Sequence, residues 1–353
     1  MRRLNDGNMM HRSWLIGLTL LFAGQASMHS LLPADEPAPL QRFTFQEPHM
    51  GTLFRIVLYA PDETTAKAAA KAAFARVAEL NQIMSDYLAD SELMQLCKRA
   101  GGDPVPVSAD LFTILQKSAE VSKLSAGGFD VSVGPVVRLW RVARKTKKLP
   151  DADELKRALA KVDCRSIRLD AERRTVQLLL AGMLLDLGGI AKGYAADAIL
   201  EVLRRHGITR ALVGAGGDVA VGDPPPDAKA WKVGIAALAN SDGTPTQYLA
   251  LKNAAVSTAG DANQFVEIAG VRYSHIVDPN TGMGLIGRRS VTVIAPNGVW
   301  ADGLDTAACV MGLEKGMKML EGQTDCAALF VHESAHGVVS TPSKRFAQYL
   351  WKE

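Results

Sequence analysis

The order in which strand-like and helix-like segments succeed one another limits this fold more than any other feature of the chain. Residues 52–60 read as a strand, and 64–84 follow as an Ala-rich run with apolar residues at helical spacing, which Asp62 or Thr64 would cap. A second helix is expected over 109–125, stopped at Gly127-Gly128, and a third after Asp151. Strands are expected at 166–170, 175–180 and 183–187, then a helix at 190–206 that ends on Gly207. The second half reads as short strands at 211–214, 219–221, 231–236, 248–252, 264–268 and 271–274, the last two joined by Ala269-Gly270, a hairpin signal. A helix over 300–311, ended by Gly312, precedes a closing strand at 327–332. The elements are interspersed without regular alternation, repeat or clear internal linker. That pattern predicts the α+β class, mixed sheets with packed helices.

The 353 residues suffice for one large domain or two ordinary ones with a substantial core. A hydrophobic share of 48% with 22% charged residues is ordinary for a globular protein, and a net charge of +3 is too small to argue for nucleic acid. The N-terminus is more informative. Arg2, Arg3 and Arg12 precede an apolar run from Trp14 to Gly24, broken only by Thr19, and Gln25, Ala26 and Ser27 follow. A basic lead, a short apolar region and a small-x-small site form the layout of a secretory signal over 1–26, too short for a membrane anchor. No Cys follows the run, so a lipid-modified N-terminus is not expected, and the mature protein is expected free in the periplasm. Residues 27–48, rich in Pro and acidic side chains toward their end, read as an extended leader to a domain over 49–353. Cys97, Cys164, Cys309 and Cys326 are widely spaced and mostly among apolar neighbours, which suits buried free thiols better than a disulfide framework.

Four segments carry chemistry. In Asp186-Leu187-Gly188-Gly189-Ile190-Ala191-Lys192-Gly193-Tyr194 a strand ends in a carboxylate and two glycines, and a helix opens with a lysine in its first turn. Such a corner suits a phosphate or pyrophosphate; it equally suits a plain turn with a solvated lysine. Gly214-Ala215-Gly216-Gly217-Asp218 lacks the dinucleotide spacing and reads as a tight turn between strands. His275, in Ser274-His275-Ile276-Val277-Asp278-Pro279, stands near a Pro/Gly turn, placed either for acid–base work or for structure. Asp302, Asp305 and Thr306 share one helix face and offer only hard oxygen donors, as Mg²⁺ prefers, although Asp302 would also serve as a helix cap.

Taken together, the segments resemble the ApbE family of FAD:protein FMN transferases. The resemblance runs from Met50-Gly51-Thr52 and Met84-Ser85-Asp86-Tyr87 through Gly127-Gly128-Phe129-Asp130 and Val133-Gly134-Pro135. It continues through the 186–193 corner, Gly216-Gly217-Asp218, residues 256–261, 274–282 and 301–307. It implies FAD contacts at Met50, Tyr87, Gly128, Phe129, Asp130, Asp186, Lys192 and Ile276. It places Mg²⁺ at the Gly189 carbonyl, Asp302 and Thr306, with Asp305 where the family commonly has a small residue contributing through its backbone. Met283-Gly284 stand where an aromatic residue and a proline are common, which bears on acceptor contacts. The implied reaction is attack of a target-protein threonine on the FMN-side phosphorus of FAD, with AMP leaving, and family analogy points to periplasm-facing membrane redox subunits as targets. His275 is the candidate for acid–base assistance and Asp261 its rival. The same residues would serve an FAD pyrophosphatase with water as nucleophile, whereas a flavin-storage protein would not need the 302/306 pair. One stretch stays outside this reading: residues 138–148 hold six Lys or Arg in 11 positions, by default a solvated face and otherwise a dock for an acidic partner.

Overall fold

The computed structural model describes residues 39–236, 238, 244–261 and 264–352; the expected signal segment, and residues 27–38 of the expected leader, lie outside these. Strands β1 (Gln41–His49) and β2 (Thr52–Ala60) form an antiparallel hairpin. Its two-residue turn puts Met50 and Gly51 at φ 47° and 73°, the left-handed pair such a turn requires. The expected leader is thus corrected: its last residues are strand, because Phe43 and Phe45 pack against the core. Helix α1 (Glu63–Met84) starts where Asp62 accepts the Thr65 N–H at 2.8 Å. Four short elements follow: α2 (Glu92–Lys98), β3 (Val105–Pro106), α3 (Ala109–Leu124) and α4 (Gly134–Thr146). Next come α5 (Ala152–Leu159), β4 (Ile167–Asp170), β5 (Thr175–Leu178) and α6 (Ala191–Arg205). Strands β6 (Ala211–Ala215), β7 (Asp218–Val221), β8 (Trp231–Ala236), β9 (Pro245–Leu251) and β10 (Ala254–Gly260) precede β11 (Phe265–Ile268), β12 (Val271–Val277), β13 (Gly284–Ile286) and β14 (Arg289–Ala295). Helix α7 (Gly298–Glu321), strands β15 (Ala327–Ser334) and β16 (Gly337–Pro342) and a 3₁₀ turn at Phe346–Tyr349 complete the order.

Eight strands make the main sheet, in the order β1-β2-β6-β7-β10-β14-β15-β16, and every neighbouring pair is antiparallel. The period-two alternation of side chains splits each strand between two cores. Phe54, Ile56 and Leu58 of β2, with Val291 and Val293 of β14, face the core built with α1, α3, α6 and α7. Val57 and Ile294 face the other side, which β8 and β9 cover with Trp231, Val233, Leu249 and Leu251. A third cluster gathers Trp140 of α4 with Val266, Tyr273 and Val277 of the β11-β12-β13 sheet. Two expectations change. Residues 183–187 alternate in burial but form no strand, since their only ladder contact among the described residues is a parallel bridge from Leu184 to Val133. Gly312 does leave helical geometry (φ 78°), yet the chain resumes helix beyond it, so α7 is kinked rather than ended there.

Candidate active site

The site is built where α6 crosses α7. A Cβ at Gly193 would lie 2.1 Å from the Gly298 carbonyl oxygen, so only glycine permits this approach. The crossing lets each helix start receive the other's carboxylate. Asp302 Oδ2 accepts the Gly193 N–H at 3.0 Å, and Asp197 of α6 accepts the Gly298 and Val299 N–H groups at 2.7 and 2.9 Å. Neither helix start has a capping side chain of its own at those donors, so the exchange satisfies groups that would otherwise be orphaned. Burial raises the Asp197 carboxyl to about 6, with its two N–H donors working against that rise.

Asp302 continues into a charged cluster on the cleft floor. Lys192 Nζ stands 3.2 Å from Asp302 Oδ1 and 2.8 Å from Asp218 Oδ2, the latter an ion pair without hydrogen-bond alignment. Ser257 Oγ touches Asp218 Oδ1 on one side and lies 2.5 Å from Asp305 Oδ2 on the other. One hydroxyl proton cannot serve two carboxylates, so the cluster is short of positive charge. Burial and the neighbouring carboxylates push Asp302 and Asp305 above the usual range. Burial alone would lower Lys192, but Asp302 and Asp218 outweigh it and hold the ammonium firmly charged.

The metal expected here can be tested on these atoms. Among the described residues no three His, Cys, Asp or Glu side chains form a metal cage by themselves. The available donors are instead mixed and all oxygen: Asp302, Asp305, the Thr306 hydroxyl and the Gly189 carbonyl, with Thr306 Oγ1 only 3.0 Å from where a Gly189 Cβ would stand. Asp305 Oδ1 is buried with no hydrogen-bond partner, as an oxygen kept for a cation would be. Three carboxylates against one ammonium leave room for two further positive charges, so the residues fit a hard divalent ion.

The cleft above this floor measures about 1150 Å³. It is lined by Met50, Tyr87, Gly128, Phe129, Asp130, Asp186, Gly189, Lys192, Ile276, His275, Asp302, Asp305 and Thr306, so the expected binding and metal residues converge. Asp186 Oδ1 accepts the Gly188 N–H at 2.8 Å and so shapes the glycine corner. The Asp130 carboxylate is taken up by Ser132 and the Cys164 N–H, so it braces the loop that lines the cleft. His275 Nδ1 lies 3.0 Å from the Gln264 carbonyl, which fixes Nδ1 as the protonated nitrogen and leaves Nε2 as an acceptor. Burial first, then Arg144 and Lys192, hold its pKa below the ordinary value, so the ring is neutral at pH 7. Asp261 is the exception. It does not line the cleft; its buried carboxylate accepts from Arg272 Nε at 2.7 Å, which in turn stacks on Phe265. Its bonds to Arg272 and Arg289 tie down the end of β10.

The ApbE family model matches residues 50–330. The chain belongs to the ApbE family. A FAD:protein FMN transferase of Treponema pallidum is 34% identical over 309 residues, spanning 83% of this chain and 85% of that protein. One of Vibrio cholerae is 29% identical over 347 residues, 97% of this chain and 100% of its own. Among solved structures, the flavin transferase ApbE from Vibrio cholerae superposes with a TM-score of 0.80 at 29% identity, covering 88% of this chain and 100% of that one. The flavinyl transferase ApbE of Pseudomonas stutzeri gives 0.79 at 26% identity, over 90% and 99%.

Within this ApbE frame, four residues had no assigned role in the sequence reading. Asp218 and Ser257 lay inside recognised motifs, but nothing in one strand tells that it will face another's carboxylate. Arg141 and Arg144 were hidden in the basic stretch. Arg141 reaches from α4 to Asp86 Oδ2 (2.5 Å) and Asp186 Oδ2 (2.9 Å), and its guanidinium lies 4.1 Å over the ring of Tyr87, which is 76% exposed. Gly134-Pro135, with Pro at the first helical turn, was the available signal that this stretch is a helix rather than a loose basic tail.

Proposed function

We propose that the protein transfers FMN from FAD to a threonine hydroxyl of another protein in the periplasm, releasing AMP, with Mg²⁺ at the Asp302/Asp305/Thr306 corner. The reading is carried by one observation: a large open cleft whose floor joins a helix-start lysine to an oxygen-only, charge-deficient donor set. The names of the family relatives supply the reaction class, and the N-terminal pattern supplies the compartment.

The chain's residues divide the work. Tyr87, Met50 and Phe129 offer apolar surface for the rings of FAD, and the glycine corner with the start of α6 offers N–H donors to its phosphates. Lys192 supplies positive charge beside them. A bound Mg²⁺ would neutralise the pyrophosphate and polarise the phosphorus. The threonine oxygen forms its bond to the FMN-side phosphorus as the bond to the AMP oxygen breaks, in line with it. His275 Nε2 is the acceptor for the hydroxyl proton.

Incubation with FAD, Mg²⁺ and a threonine-bearing acceptor domain tests the reading by intact mass. The acceptor should gain one FMN, and AMP release should depend on its threonine. AMP appearing equally fast without acceptor, and no attached flavin, would make the protein an FAD pyrophosphatase instead.

A further inference from the structure

The basic stretch is absorbed only in part by the cleft. Arg141 is committed to Asp86 and Asp186, and Arg138 reaches Met94 Sδ at 3.7 Å. Arg144, Lys145, Lys147 and Lys148 form no ion pair within 4.0 Å among the described residues. Some basic residues on other helices are matched locally, as Lys67 is by Glu63, Lys117 by Glu120 and Arg204 and Arg205 by Glu201, whereas Lys71, Lys123, Lys156 and Lys318 are, like this group, without an ion pair within 4.0 Å among the described residues. The first turn of the next helix carries Asp153 and Glu154, and neither pairs with this group.

Position gives the unmatched charges meaning. Arg144 lines the cleft, close enough to His275 to disfavour its protonation. Burial first, and then Arg141, lower Arg144's own pKa, so an anion at its side would relieve a real cost. Lys145, Lys147 and Lys148 follow it in the chain, all exposed and outside the cleft lining, with Lys147 in the left-handed conformation that ends α4. Two apolar side chains, Val142 and Leu149, stand 56% and 46% exposed on the same segment. The end of α4 thus forms a cationic track with exposed apolar side chains, its first member lining the cleft.

We propose that this track is the docking surface for the acceptor protein, and that the segment it receives carries acidic residues flanking the target threonine. The inference rests on the transferase reading, because only a reaction with a macromolecular second substrate needs a charged approach path separate from the FAD floor. Lys192 and the α6 start already offer charge and N–H donors to FAD, and the three lysines are not among the residues that line the cleft. Rim charges of this kind act on encounter rate and on salt dependence more than on chemistry.

The test compares wild type with a Lys145→Gln, Lys147→Gln, Lys148→Gln triple variant, all exposed positions outside the cleft. The probes are an acceptor domain and its counterpart with flanking Asp and Glu changed to Asn and Gln. In low salt, the variant should raise KM for the acidic acceptor about tenfold and blunt its dependence on ionic strength. FAD affinity, kcat and acceptor-independent AMP release should stay at wild-type values. The neutralised acceptor should behave alike with both enzymes. An unchanged KM overturns the proposal, as does an equal loss of FAD affinity, which would assign the lysines to the nucleotide. Binding of the wild type but not the variant to anionic phospholipid vesicles, with KM unaffected, would assign them to a membrane surface and also overturn it. If wild type labels no acceptor while still releasing AMP, it is the transferase reading that fails, a result separable from every outcome above.

Discussion

Arg141 is the side chain whose replacement best separates binding from chemistry. Its two arms hold Asp86 and Asp186, and its plane backs the exposed Tyr87 ring, so it fixes the spacing of the wall that FAD must enter. Arg141→Met should weaken FAD binding about tenfold with a smaller change in kcat, read by quenching of flavin fluorescence. Arg141→Lys should rescue poorly, because a point charge cannot bridge two carboxylates and stack at once. His275 makes the opposite kind of prediction. Because burial, Arg144 and Lys192 keep its pKa below the ordinary value near 6.5, loss of activity from its protonation should begin only below that pH. In His275→Asn that acid limb should vanish, transfer should slow, and FAD affinity should hold; a variant with the wild-type pH profile would remove His275 from proton handling. Individual residues were legible in the sequence where a motif carried them, as at Lys192, His275 and Thr306. Asp218, Ser257 and Arg141 were not, since their roles are pairings across the fold between residues up to 55 positions apart.

Among elements, the α6–α7 crossing is the unit that sets the site. Gly193→Ala would drive a methyl group against the Gly298 backbone and should cost about 3 kcal/mol of stability, seen as a lower denaturation midpoint. The exchange of carboxylates at the two helix starts adds a pH signature. Asp197 has a folded pKa raised to about 6 from 3.8, so the folded state holds its proton more tightly than the unfolded chain. The stability it allows is therefore fully present below pH 3.8 and is lost as pH rises to about 6, then flat. Chemical denaturation across that window should show a shallower decline in Asp197→Asn than in wild type; identical slopes would mean that Asp197 does not titrate there. Most elements were legible from periodicity and punctuation: β2 and β8 fall where expected, and α1, α3 and α6 differ by a residue or two at their ends. Three of the exceptions have identifiable and different reasons. β1 reads as a leader because its acidic and Pro-rich lead-in resembles one, and β10 and β14 were missed because small and β-branched residues buried on both faces give no alternation to read.

For the whole molecule, two predictions follow from charge and compartment. Chelation should stop turnover and millimolar Mg²⁺ restore it, Zn²⁺ poorly, while Asp302→Asn should stay folded and inactive in either case. Full activity of that variant would remove the metal from this corner. The mature N-terminus from the native host should fall near Ser27, and an intact leader on most of the material would rule out cleavage. The sheet itself bears on how such a chain reaches its final form. Its strands lie side by side in the same order as they occur along the chain, each antiparallel to the last. A polypeptide delivered N-terminus first can therefore lay every new strand on a free border and never has to force one between two that are already joined. Assembly of the sheet is additive from β1 to β16, and the last border laid down carries Val338 and Val339 half-exposed, an edge still open to one more strand.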